Sequence, residues 1–145
     1  LVAASIVSIG AGFTLDTTIT LDSTNFAFDT RPGHPFIIKI DGTRVFVAYQ
    51  IDSANFEIRA IAVSFDGVTL SSGSSIQVST SDVYDQYPCV AMIETSKAIV
   101  LYDNVVAGKL RTVSISGTVL TDNNDTVEFD SNTTDYTAIA ALKAS

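Results

Sequence analysis

The chain has 145 residues, 46% of them hydrophobic and 17% charged, and its 16 acidic and 8 basic side chains give a net charge of −8. This supplies enough apolar material for one ordinary domain and argues against disorder. It argues equally against nucleic acid, since no basic patch offsets the acidic surface. It argues against membrane insertion too, since no apolar run reaches the ~18 residues that a span needs.

The predicted elements are all strands. The opening "LVAASIVSIGAGFTL" is apolar without a basic start, and its "SIVSIG" recurs later, so it is read as structure and not as a signal peptide. Residues 1–33 are expected to hold the last two strands, C and D, of a first repeat unit. The second unit, 34–86, opens with "HPFIIKI" and "RVFVAYQ" as strands A and B around the turn "DGTR", where Gly42 is free to take a positive φ. "IRAIAVSF" then forms strand C, "FDG" turns it, and "SIQVST" returns as strand D. The third unit, 87–135, repeats the plan. "CVAMI" and "KAIVLY" are short apolar runs around "ETSK", as expected of strands covered on both faces. "LRTVSIS" alternates, "SGT" turns, and "TVEFD" returns as a more polar strand. Residues 136–145, "YTAIAALKAS", supply a lone strand A. No segment offers a helical period with caps.

The repetition is specific at the level of residues. Pro35 aligns with Pro88, Ile37 with Val90, Ile40 with Ile93, Arg44 with Lys97, Val47 with Val100 and Tyr49 with Tyr102. "AVSFDGVTL" aligns in turn with "TVSISGTVL". A period of about fifty residues points to propellers, solenoids or arrays. Four antiparallel strands per unit, grading from buried A to exposed D, describe β-propeller blades, just under three of them in an all-β chain. A solenoid would need shorter coils, and a sandwich would not need internal repetition. Unpaired strand edges invite completion, by further blades of a longer chain or by a second copy in a homo-oligomer.

"YPCVAMIETSKAIVLYD" followed by "LRTVSISGTVLT" resembles propeller-forming repeats of phage tail-associated proteins and of bacterial surface or secreted proteins. The resemblance covers most of the chain in three imperfect copies. It departs most in the first, where "IGAGFTL" stands for "SGTVL", and His34 stands for Tyr in the second. It implies an extracellular or virion location and a scaffold for adhesion and recognition, with no catalytic set carried over. "SFDGVTL" is similar to the Asp-box hairpin of sialidase-type propellers, which is a structural turn.

In the propeller reading, the D-to-A and B-to-C connections share the rim where ligands commonly bind. That rim would hold or border Asp22, Asp29, Asp52, Asp82, Asp85, Asp103, Asp130 and Asp135, with only Arg31 and Lys109 opposing them. The candidate ligand-binding residues are His34, Tyr84, Asp85, Tyr87, Asp103, Asp135 and Tyr136. Tyrosine rings stack on sugar C–H surfaces and neighbouring carboxylates accept hydroxyl protons, so a glycan or a protein surface is the expected partner. The competing explanation is structural: aspartates favour turns, and His34, Tyr87 and Tyr136 share a half-buried position at the entrance to strand A. "TDNNDT" (121–126) has oxygen donors suited to Ca²⁺ but lacks a glycine-centred loop, and a polar hairpin turn is the expected form. Asn124 and Asn132 each open an Asn-x-Thr triplet. Cys89, the single cysteine, is expected to be buried. No cofactor motif and no nucleophile–base spacing is present, so the chain is expected to be non-catalytic. Two alternatives remain open: a structural subunit that completes its sheets with another chain, and a polysaccharide-acting enzyme with two rim carboxylates.

Overall fold

The computed structural model of the protein describes residues 3–4, 19–20, 35–51, 57–79, 86–104, 106–132 and 138–140. Two antiparallel sheets dominate. The first comprises β3 (Phe36–Lys39), β4 (Arg44–Gln50), β5 (Ile58–Phe65), β6 (Leu70–Ser72) and β7 (Ile76–Gln77), in the order β3-β4-β5-β6, with β7 also on β5. The second comprises β8 (Gln86–Glu94), β9 (Lys97–Asp103), β10 (Gly108–Ser116), β11 (Val119–Asp122) and β12 (Val127–Asp130), in the order β8-β9-β10-β11, with β12 also on β10. A short pair, β1 (Ala3–Ala4) and β2 (Ile19–Thr20), precedes them, and β2 lies against β6. No helix occurs among the described residues. The protein is all-β.

Sequence chemistry explains the turns, though not always by the expected residue. In the β3–β4 turn Gly42 keeps an ordinary negative-side backbone. The turn is closed instead by Asp41, whose carboxylate accepts hydrogen bonds from the amides of Thr43 (2.9 Å) and Arg44 (3.0 Å) and pairs with the Arg44 guanidinium at 2.6 Å. Asp66 does the same for the β5–β6 turn, accepting from Val68 (2.9 Å) and Thr69 (2.7 Å). Positive φ falls at Gly67 and Gly117, where a Cβ would be strained. The "FDG" motif is therefore a backbone device, as the sequence suggests.

The outer strand departs from expectation. "TDNNDT" is no hairpin turn, and the return strand begins at Val119, directly after the Gly117 turn. Residues 123–126 form a bulge between β11 and β12, both of which pair with β10. Four residues there span a stretch that two residues, Arg111 and Thr112, cover on β10. Residues 73–75 interrupt β6 and β7 in the same place, with one extra residue. Bulged, broken outer strands twist a sheet edge away from further pairing.

Side chains alternate across each strand, so register fixes two faces per sheet. Phe46 and Ala48 on β4, with Ala60 and Ala62 on β5, enter one core cluster together with Ala98, Val100, Tyr102 and Val113 of the second sheet. Val47, Tyr49, Ile61 and Val63 leave by the opposite face into a separate cluster. Val100 and Tyr102 are the repeat partners of Val47 and Tyr49, yet the former pair faces the first sheet while the latter pair faces away from the second. Equivalent faces thus point the same way. The second sheet lays its front on the first sheet's back. A two-fold sandwich would have brought equivalent residues together.

Small residues permit this close approach. Ala48, Ala60, Ala62 and Ala98 are all fully buried between the sheets. Larger side chains surround them, and each such burial contributes about 1.5–3 kcal/mol. Cys89 is buried, as expected. The expected gradient from buried to exposed strands fails at its start in the first sheet. There β3 alternates, with Ile37 45% exposed, because it is an edge strand with one paired neighbour, and β4 is the most buried.

Candidate functional site

Strand direction sets which groups meet at each end of the stack. The ends of β4 and β9 and the starts of β5, β8 and β10 lie together, and there the buried polar residues gather. Gln50, Ser79, Asp103 and Asn104 are all buried at this end, leaving Arg111 as the other buried polar residue among those described. Gln50 and Asp103 occupy the same place in the repeat. Buried polar groups need partners, and several are visible. The Ser79 hydroxyl accepts from the Ile58 amide at 3.0 Å. Asn104 closes a tight loop, accepting through Oδ1 from the Ala107 amide at 3.1 Å and donating its own amide to the Ala107 carbonyl at 3.1 Å. At the rim Arg59 pairs with Glu57 at 3.3 Å, a partly exposed contact worth at most about 1 kcal/mol.

Of the expected ligand-binding residues, His34, Tyr84, Asp85, Asp135 and Tyr136 lie outside the described residues. Tyr87 and Asp103 are described and come together at this end. Tyr87 is half-buried and adopts φ 51°, a region that non-glycine residues seldom occupy. The cause is a bulge: Gln86 pairs with Asp103 and Cys89 with Leu101, so Tyr87 and Pro88 share the single place opposite Tyr102. Asp103 is only 3% exposed. Of the other predicted rim groups, Asp130 is half-buried and accepts from the Asn132 amide, and Lys109 stands on β10 beside Tyr102 in register. Gln50, Ser79 and Asn104 were not singled out from sequence. The alignment of Gln50 with Asp103 was the available signal for one of them.

The polar bulge at 123–126 is committed to the protein itself. The Thr112 hydroxyl and amide donate to Asp125 at 2.6 and 2.9 Å, and Asn123 donates to the Thr112 hydroxyl at 2.7 Å. Arg111 donates to Asp122, Asn124 and Thr126. The Asn124–Thr126 triplet is thereby held as a guanidinium clamp, with Asn124 at φ 55°. Among the described residues no three His, Cys, Asp or Glu side chains gather closely enough to hold a metal ion.

Among the described residues, three carboxylates are shifted. The Arg44 hydrogen bond, then the Thr43 amide, hold Asp41 down at about 2. The Thr69 and Val68 amides lower Asp66. Burial pushes Asp125 up, but the Thr112 hydroxyl and amide outweigh it and leave the group below its usual value. Folded-state values below the unfolded one mean stability that is fully present above the unfolded pKa and lost as pH falls through the folded values. The melting temperature is therefore expected to hold from neutrality to about pH 4 and to fall from there toward about pH 2. Thermal melts across that range check this, and Asp41→Asn should flatten the acid limb. An unchanged limb in that variant would assign the acid loss elsewhere.

Compared with known proteins, the chain matches no family model, no curated protein and no solved structure.

Proposed function

We propose that the chain is a non-catalytic segment of a β-propeller, a rigid scaffold that presents loops for recognition or adhesion in an extracellular or virion-associated protein. The observation that supports it is the stacking in series: each repeat is one four-strand meander, and the front of one sheet covers the back of the one before. Serial stacking of four-stranded antiparallel sheets is how blades surround a channel. In this reading each sheet is a blade, broken at its outer strand. The buried polar end, with Gln50, Ser79, Asp103 and Asn104, is then a platform beside which Tyr87 stands at the start of β8. Loops carried on a rigid frame are where binding residues concentrate. A half-buried tyrosine ring beside carboxylates and amides suits a polyhydroxylated ligand, which offers C–H faces to the ring and hydroxyl groups to the polar atoms.

Binding to immobilised bacterial and host glycans, followed by titration of the best hit, tests this reading. Saturable binding is expected, weakened about tenfold, roughly 1.4 kcal/mol, by Asp85→Asn or Tyr87→Ser. Melting curves of both variants separate lost recognition from lost folding. Binding unchanged in both variants would remove these residues from the site, and turnover of a glycan would replace the scaffold reading with an enzyme.

A further inference from the structure

The second sheet carries a charged clamp that the first sheet lacks. Arg111 is 6% exposed, and its guanidinium is met by four oxygen atoms: Asp122 Oδ2, Asn124 Oδ1, Thr126 Oγ1 and the Val78 carbonyl. The three side chains stand first, third and fifth in "DNNDT" (122–126), the spacing at which a calcium loop presents its first three ligands. The Asn124 amide donates to the other Asp122 oxygen at 3.0 Å, which turns the chain so that all three side chains reach Arg111.

The first sheet supplies a comparison. Asp122 pairs with Val113 and Ser72 with Val63, so Asp122 takes the place that Ser72 holds in the other repeat. After them come the four residues "NNDT" in the second sheet and the three residues "GSS" in the first. Ile61 stands where Arg111 does, buried in an apolar cluster. The cation and its oxygen donors are thus present together in one sheet and absent together from the other. That is the pattern of a site and its occupant, since a buried charge without donors is costly.

We propose that residues 122–126 form an oxygen-lined cation site of the calcium type, filled by the chain's own Arg111 guanidinium, and that truncating Arg111 opens this site to Ca²⁺. A carboxylate, an amide oxygen, a hydroxyl and a backbone carbonyl are all ligands that a hard cation accepts. Water completes the coordination shell, because Asp122 is partly exposed and Asn124 and Thr126 lie at the surface. A guanidinium is wider than a bare ion, so the oxygens must close by about 1 Å to reach calcium. Residues 124–126 can do so, being bulged out of register with β10. The smaller Mg²⁺, with its strict octahedron, suits a wide site less well. One carboxylate, with neither a central glycine nor a closing glutamate, sets the affinity low, at a Kd of about 0.1–1 mM. In the parent chain the guanidinium holds the place and repels a second cation, so this loop is indifferent to calcium.

Melting curves of the parent, Arg111→Ala and Arg111→Met, with and without ~10 mM Ca²⁺, read the outcome. Both variants start below the parent. Calcium is expected to raise Arg111→Ala by about 5 °C, by mass action on the folded state alone. The parent and Arg111→Met should stay within about 1 °C, since methionine fills the space that the ion would take. Mg²⁺ at the same concentration should give less than half the rise. Adding Asp122→Asn to Arg111→Ala should abolish the rise, which separates this loop from calcium held by other surface carboxylates. Arg111→Ser is made in parallel, so that the answer does not depend on the folding of one variant. A rise that survives Asp122→Asn, or one equally large in the parent, overturns the proposal. So does the absence of a calcium response in both Arg111→Ala and Arg111→Ser, whether they fold or not.

Discussion

Replacing Arg111 with methionine is expected to destabilise the protein by about 2–4 kcal/mol, a drop of roughly 10 °C in melting temperature. Arg111 is 6% exposed and its guanidinium reaches four acceptors. It donates to the Val78 carbonyl of the first sheet at 2.8 Å, and to Asp122 at 2.5 Å, Asn124 at 2.6 Å and Thr126 at 2.5 Å around the bulge. One side chain thus ties the two sheets together and folds the outer strand onto its own sheet. Methionine fills similar volume but leaves those acceptors unmet. Asp122 remains 22% exposed, so its charge keeps some solvent and the loss stays below that of a fully buried orphan. The paired variant Arg111→Met with Asp122→Asn removes the stranded charge and should recover part of the loss. Chemical denaturation of the three proteins decides the matter. If Arg111→Met melts with the parent, the clamp contributes nothing to stability.

Gly73→Ala is expected to cost about 1–3 kcal/mol, whereas the same change at Gly42 should be neutral or slightly stabilising. The two glycines look alike in sequence, one in "DGT" and one in "SGS". At Gly73 an added Cβ would run into the backbone carbonyl of Thr118, in the β10–β11 turn of the second sheet. Backbone cannot swing aside as a flexible side chain can, so the sheets must part or the turn must move. At Gly42 nothing stands within 4 Å and φ is ordinary, so alanine fits and restricts the unfolded chain. Near this contact Arg44 donates to the Gly117 carbonyl at 2.6 Å, and a shifted turn would strain that bond as well. Melting curves of the two alanine variants test the difference. Equal losses would mean that the inter-sheet approach at Gly73 is looser than its geometry implies.

Both positions show how far the sequence could be read. The hairpins were legible because their signals are local: alternating or continuous apolar runs mark strands, and Asp-Gly pairs mark turns. Arg111 was not, because in "LRTVSIS" it takes its place as an ordinary polar residue of an alternating strand. Its repeat partner is Ile61, a buried apolar residue. Only the neighbouring sheet's Val78 carbonyl and the folded bulge give a buried guanidinium its acceptors. "TDNNDT" misled for a related reason. Its composition suits a turn, but Val119–Asp122 already pair with β10, so the polar residues can only bulge and satisfy themselves on Thr112 and Arg111. Of the candidate site, Tyr87 and Asp103 were placed at one end by the repeat, whereas the burial of Asp103 and the unusual φ of Tyr87 depend on a register slip that no spacing announces.

By itself the sequence determined an all-β chain, the repeat of about fifty residues, the hairpins and the buried cysteine, because propensity, periodicity and turn chemistry act over a few residues. The tertiary structure decided that Val47 and Val100 point the same way and not at each other, and that glycine is required at 73 and not at 42. Each of these depends on which sheet lies against which, and long-range packing of that kind leaves no mark on the spacing of residues along the chain.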